Sequence, residues 1–420
     1  MSGNQKAICK VHYGWVIVFC SGLLIFYTIG LIVNSFSLFL NPLILSLNIS
    51  KTRASSIAAV QNVGGILMTF VAGRFCQRVG LRKAILFGGI FAVAGYYYLS
   101  TVSDLMGCYI GYFLVGCAYG LGGTVPTTIL ITNWFCKQKG LALSLSSLAS
   151  AFSTIIYPLV ISFLLDRTNI FGVYKFLSLN VLVIVVTAFL LVRDHPSDMG
   201  LFPYGLQANL VKKEQVSAPK HDLGDLLKLR PIRLSLVVAF FQGVIISTVS
   251  SHISIFYTGE GFSAEFAASM VSLFGVIMLV AKPIYGILLD RVSLEKINLS
   301  ILSCMISAMA VPFFFHINPI IPPMFVVLYG LTSPLSSMIF PLWAEQLGKN
   351  CGGVGVVYPL FKGFCSLGAI TLLTLPGFIA DHCGSYIPVF IIYLLFSIAS
   401  VFLIRRALRL TDTQEEHTHG

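Results

Sequence analysis

Two lysines stand where lysine is rare. Lys362 lies inside Cys351–Phe378, a mostly apolar run of 28 residues, within the stretch Val357-Tyr358-Pro359-Leu360-Phe361-Lys362-Gly363. Lys282 has a similar setting in Ser272–Gly286. A cation at the centre of a membrane helix costs at least about 2.5–3.5 kcal/mol, so each lysine needs a partner or a task. The chain supplies no carboxylate at that depth, because its 16 Asp and Glu residues all fall in loops, tails or span ends. Buried charges are normally paired, which points to an anion from outside the chain. The bland alternatives are snorkelling to the interface and loss of the proton on burial. Lys282 is about 10 Å from the inner end of its run, within partial reach of a lysine; Lys362 is about 15 Å from its own, which is too far.

Helical spacing suggests the walls of a site around these cations. Tyr358 and Lys362 are four apart and share a face. Tyr27 and Asn34 are seven apart in the first apolar run, and Tyr112, Gly116, Tyr119 and Gly123 form one stripe of the fourth. Tyr329, Ser251 and His252 lie in later runs. Tyrosine hydroxyls donate to carboxylate oxygens, yet each tyrosine is equally well read as packing or as an interfacial anchor. An intramembrane histidine either bonds a neighbouring helix or relays a proton.

The elements that must hold these residues are membrane helices. The 420 residues are 56% hydrophobic and 10% charged, well below the roughly 25% charge of a soluble domain. Mean hydropathy is +0.88. Twelve apolar spans follow, at 14–40, 54–72, 84–102, 105–134, 140–164, 173–193, 232–258, 264–289, 297–315, 320–345, 352–379 and 385–404. The fold class is an all-α membrane protein of twelve transmembrane helices. Its expected divisions are an N-terminal half, 1–193; a cytoplasmic linker, 194–231, with a short helix near Asp222–Leu229; a C-terminal half, 232–409; and a disordered tail, 410–420. The first run is too long for a cleavable signal peptide.

The formal net charge of +11 could suggest nucleic acid, but its distribution does not. Of the 27 Lys and Arg, 21 fall on one side of the expected spans and 4 on the other, and Lys282 and Lys362 complete the set. By the positive-inside rule both termini are cytoplasmic, in the inner or plasma membrane of the cell. The ten cysteines form no C-x-x-C pair, so neither a metal site nor a disulfide framework is expected.

The halves repeat. Gly73-Arg-Phe-Cys-Gln-Arg78-Val79 matches Gly286-Ile-Leu-Leu-Asp290-Arg291-Val292, and Leu165-Asp166-Arg167 matches Ala380-Asp381-His382 at nearly the same offset. A parallel repeat places a substrate site near the bilayer midplane, between two pseudo-symmetric six-helix halves. The repeat also supplies a control: Lys282 and Lys362 correspond to Thr69 and Ser147, so the fold itself does not demand cations there.

With these motifs the chain resembles the major facilitator superfamily. Gly73, Arg78, Gly80 and Arg82 fit that superfamily's G-x-x-x-D-R-x-G-R-[KR] gating motif, with Gln77 in place of the acid, while Gly286, Asp290 and Arg291 keep the acid–arginine pair. A narrower likeness is to the oxalate/formate antiporter and monocarboxylate transporter families. It rests on Tyr119-Gly-Leu-Gly-Gly-Thr-Val-Pro126, Asn133-Trp134-Phe135, Lys139-Gly140-Leu-Ala142, Arg193-Asp194-His-Pro196 and Ala281-Lys282-Pro283-Ile-Tyr-Gly286. The resemblance implies that Lys282 stands where those families place a substrate-binding arginine. It also implies that Lys362 matches a lysine of the oxalate branch, and that Tyr119 and Tyr329 contact substrate. Met278 replaces an aspartate of the proton-coupled branch.

The expected function is secondary transport of small organic anions, mono- or dicarboxylates, by alternating access, with anion exchange favoured. The expected substrate-binding residues are Lys282, Lys362, Tyr119, Tyr329, Tyr358, His252, Tyr27 and Asn34. The expected partners are the anion and the lipid bilayer, with no cofactor, no metal and no nucleic acid, and the chain is expected to act as a monomer. Proton-coupled symport stays open, as do drug efflux and non-transporting anion sensing. No nucleophile–base, metal or phosphate-loop motif suggests an enzyme.

Overall fold

The computed structural model describes residues 12–49, 51–206, 223–348, 354–372 and 375–419. Among them are helices and short turns, with a lone backbone bridge between Phe135 and Tyr204 and no strand. Eleven helical stretches are long and apolar enough to cross a membrane. Leu81–Leu99 packs among them on the fourth and sixth spans and completes a set of twelve.

The spans depart from simple apolar runs where the sequence supplies a reason. The first is α-helical over Gly14–Ile25, widens to a π-helix over Phe26–Asn34, and continues as Phe36–Leu47 with Pro42 inside it. The second, Lys51–Val79, outruns its apolar core, so the Gly73–Arg78 motif is helical rather than a loop. It turns into the third at Gly80, whose φ of +93° suits a residue without Cβ. The fourth breaks at Gly123, between Leu105–Gly122 and Thr124–Trp134, and Pro126 sits in the first turn of the second piece, where its missing N–H is harmless. The fifth and sixth are Lys139–Leu165 and Ile170–Leu191.

In the second half the seventh, eighth and ninth spans are Arg230–Gly259, Ala264–Leu289 and Leu294–Ala310, the last extended by a tight turn to Phe314. The tenth runs Ile321–Gly330 and Phe340–Gly348 around a π-helical turn, Leu335–Ile339, set off by Pro334. The eleventh is Val354–Thr371 followed by Leu375–Cys383, and the twelfth is Ile387–His419. The backbone of 410–419, where a disordered tail is expected, continues that last helix.

Packing reproduces the repeat. The first span packs on the fifth and sixth as the seventh packs on the eleventh and twelfth, and the second packs on the fourth as the eighth does on the tenth. Small residues permit the close approaches: a Cβ on Gly116 would stand 2.0 Å from the Gln61 carbonyl oxygen. Between the halves two seams dominate, the second span on the eleventh and the fifth on the eighth, which the repeat relates to each other.

Of the expected linker, 194–206 folds back on the N-terminal half. Tyr204 N donates to Trp134 O at 2.8 Å, and Tyr204 O accepts from Cys136 N at 3.0 Å. The short helix is Leu223–Lys228. Residues 207–222, the start of the expected eleventh span at 352–353, and the side chain of Ser251 lie outside the described residues.

Candidate functional site

On the seam between the fifth and eighth spans, Lys282 is only 4% exposed. Its Nζ donates to Ser150 Oγ at 3.0 Å and to Ser147 O at 3.2 Å. These acceptors belong to a ladder, Ser144, Ser147, Ser150 and Ser153, spaced by three along one face of the fifth span. Each of these hydroxyls donates to the carbonyl three residues earlier, which leaves oxygen lone pairs facing outward. Two turns nearer the basic loops, Asp290 accepts from Gly140 N and Leu141 N, both at 3.1 Å. A carboxylate there meets two unbonded amides and the positive end of the helix dipole. Lys139 pairs with Glu345 of the tenth span in the same region.

The seam between the second and eleventh spans is apolar by contrast. A Cβ on Gly73 would lie 2.6 Å from the Pro359 ring and 2.7 Å from the Gly355 carbonyl oxygen. Gly363 packs against the Phe70 ring. Gln77, the repeat counterpart of Asp290, has its amide nitrogen 3.5 Å from where a Gly355 Cβ would stand. Thus one seam is latched by charge, and at the equivalent place on the other an exposed amide stands near the eleventh span. Both sets of contacts lie between mid-span and the end carrying Arg74–Lys83 and Arg291–Lys296.

Beyond these contacts, toward the other end, a cavity of about 180 Å³ opens between the halves. Gln61, Asn62 and Tyr119 line it from the N-terminal half, and Ser247 and Ser366 from the C-terminal half. Lys362 is one helical turn deeper than Ser366 on the same face of the eleventh span. Its ammonium has Tyr119 and Tyr358 as electrostatic neighbours, and the Thr124 and Thr128 side chains of the fourth span lie near Tyr358. Tyr119 thus links the cavity wall to a cation that lies one turn below it, near hydroxyls from both halves. Among the described residues no carboxylate pairs with Lys282 or Lys362.

The structure brings Lys362, Tyr119 and Tyr358 together and sets Lys282 on the opposite seam. The other expected ligands lie elsewhere. Tyr329 donates to Ile246 O at 3.0 Å and stacks on Phe274 and Phe325. His252 is half-buried over the Phe256 ring, with Nδ1 2.9 Å from Thr248 O. Because a carbonyl only accepts, Nδ1 carries the proton there. Tyr27 is fully buried between the first and fourth spans, near Gly122. Asn34 is exposed and donates to Thr154 Oγ1 at 2.6 Å.

Of the expected gating residues, Gly73, Gly286 and Asp290 lie on the seams. Arg82 donates to Phe189 O at 2.7 Å and covers the Phe189 ring, while Arg78 and Arg291 are exposed. Beside Gly80, Asp194 caps the third span by accepting from Leu81 N at 2.9 Å and Arg82 N at 2.7 Å. Sequence reasoning missed that role, and it missed Gln61, Thr124, Thr128 and the serine ladder. A three-residue serine period was the one signal available for the ladder.

Comparison with known proteins agrees with this architecture. The model of the Major Facilitator Superfamily matches residues 15–371. The chain is 24% identical to the "Uncharacterized transporter ESBP6" of Saccharomyces cerevisiae over 66% of its own length and 41% of that protein. It is 24% identical to the "MFS-type transporter pynF" of Aspergillus niger over 88% of its length and 82% of that protein. Human "Monocarboxylate transporter 10" aligns at 24% identity over 35% of the chain and 28% of the relative. The chain thus spans less than half the length of ESBP6 and of the monocarboxylate transporter in these alignments. Among solved structures, the proton:xylose symporter XylE superposes with a TM-score of 0.73 at 14% identity, covering 94% of this chain and 95% of that one.

Proposed function

We propose, from the premise that this chain belongs to the Major Facilitator Superfamily, that it carries small organic anions, mono- or dicarboxylates, by alternating access and exchanges one anion for another. It is a multi-pass membrane transporter and not an enzyme. The observation that carries the anion reading is Lys362. This cation lies beside Tyr358 and beside Tyr119, a wall residue of the inter-half cavity, without a carboxylate partner among the described residues. A carboxylate entering the cavity supplies the missing charge, and the tyrosine hydroxyls are positioned to donate to its oxygens. The alignment with proteins named as monocarboxylate transporters supports the same class.

With the basic loops inside, the seams close the cytoplasmic end and the cavity faces outward. Exchange follows from electrostatics. An empty carrier must enclose Lys362 uncompensated before it can reorient, whereas a loaded one encloses a neutral pair. Proton symport is the second reading, favoured by the half-buried imidazole of His252 in the seventh span.

The test is uptake of labelled carboxylates into proteoliposomes preloaded with unlabelled anion. Lys362→Ala loses uptake at low anion concentration if the assignment holds, and full uptake by that variant contradicts it. Uptake that needs a pH gradient and no internal anion replaces exchange with symport.

A further inference from the structure

Inside a helix a serine or threonine hydroxyl commonly donates to the carbonyl three or four residues earlier. Thr248, Ser250 and Thr371 do so in the seventh and eleventh spans, as does the serine ladder of the fifth. Ser247 and Ser366 do not. Among the described residues neither hydroxyl has a hydrogen-bond partner, and the same holds for the Asn62 side-chain amide. All three line the inter-half cavity, as does Tyr119. Asn62 is exposed and Ser247, Ser366 and Tyr119 are part-exposed, so a ligand in the cavity can reach them.

Close contacts between the helices set the level of each group. Gly363 packs on the Phe70 ring, so one turn further from the basic loops Ser366 stands level with Ile66. A Cβ on Gly65 would be 3.2 Å from Tyr119 Cδ1, which puts Tyr119 at this level too. A Cβ on Gly243 would be 1.9 Å from Cys365 O, so Ser247 lies about one turn above Ser366. Asn62 lies one turn above Ile66. The cavity wall therefore carries two polar tiers about 5–6 Å apart. Tyr119 and Ser366 form the lower, Asn62 and Ser247 the upper, and each tier draws one group from each half.

A ligand that displaces water from these groups without reproducing its hydrogen bonds loses affinity. An alkyl body reproduces none of them. Hydroxyls reproduce both kinds, donating to the Asn62 amide oxygen and accepting from the serine hydroxyls. Resting on the anion reading of this cavity, we propose that its substrate is a carboxylate hydroxylated along its chain, and that Ser247, Ser366 and Asn62 select the hydroxyls. The cavity volume of about 180 Å³ corresponds to some six waters at about 30 Å³ each, the scale of a short hydroxy acid. Because each tier spans both halves, such a substrate is held from both sides at once.

The experiment measures dissociation constants by calorimetry on the purified full chain in lipid nanodiscs. It compares threonate with 2,3-dimethylpentanoate, a monoanion of the same shape with a methyl group in place of each hydroxyl. Threonate is expected to bind at least about tenfold tighter. The double variant Ser247→Ala, Ser366→Ala places a good helix former at both positions. It is expected to weaken threonate at least about fivefold and to leave the alkyl acid no weaker. Equal binding of the two acids by the wild type overturns the selection of hydroxyls and leaves the anion reading standing, as does a double variant that keeps the full preference. The wild-type comparison decides even where the variant does not assemble. Threitol, the uncharged counterpart of threonate, is expected to bind far more weakly than threonate. Equal binding of threitol and threonate overturns the anion reading and leaves the polar tiers standing. Binding of neither acid overturns both.

Discussion

Replacing Lys362 by methionine is expected to convert an obligate exchanger into a leaky carrier. Methionine keeps much of the length and volume of the side chain but carries no charge. In the wild type, the empty cavity must close over an ammonium whose recorded polar neighbours include the Tyr119 and Tyr358 hydroxyls. The cost of an uncompensated cation at membrane depth starts at about 2.5–3.5 kcal/mol, and the hydroxyls place this site at the lower end. About 2.5 kcal/mol slows the return of the empty carrier about 70-fold, at about 1.4 kcal/mol per factor of ten. The loaded carrier encloses a cation and an anion together and escapes this term. In proteoliposomes, efflux of labelled anion into medium containing the same anion is therefore expected to exceed efflux into anion-free medium by about 70-fold. In Lys362→Met the ratio drops toward one, even as anion affinity falls. A wild-type ratio near one would refute this reasoning, and so would a variant that still transports with the wild-type ratio.

Two further predictions concern the seams. Lys282→Met removes two hydrogen bonds between the eighth and fifth spans, each worth about 1.5–3 kcal/mol for a charged donor. It is expected to lower the transport rate while leaving equilibrium anion affinity within a few-fold; a loss of affinity equal to that of Lys362→Met would instead make Lys282 a ligand. Gln77→Asp places a carboxylate beside the first described turn of the eleventh span, as Asp290 stands at the fifth. Favourable dipole and hydrogen-bond terms of about 0.5–2 kcal/mol are expected to hold the basic end closed. Cysteine-accessibility labelling at that end would then fall in Gln77→Asp and rise in Asp290→Asn, and unchanged labelling in both would count against a latch.

The fold was legible because its causes are local or periodic. Apolar length marks the spans, and the Gly73 and Gly286 motifs reveal the repeat without any knowledge of tertiary contacts. Lys362 and its neighbour Tyr358 were legible for the same reason, since one helix carries both. The separation of Lys282 from Lys362 was not, because it depends on which helices meet across the halves, and no local pattern reports that. Tyr329 and His252 look like ligands by residue type and depth, yet helix rotation directs them to the carbonyls of Ile246 and Thr248. Asp194 reads as the start of a linker until the third span's free amides are found against it. Gln61 is one polar residue among several in its span. Its meaning lies in the Ile32 carbonyl that takes its nitrogen, a partner 29 residues away.

The most direct test of the anion site is the equilibrium dissociation constant of a transported carboxylate, measured by calorimetry on the purified chain and on Lys362→Met. The account predicts that the variant weakens binding at least about 30-fold, the loss expected on removing one partner of a desolvated charge pair. Equal affinity in the two proteins would contradict it and move the site away from the eleventh span.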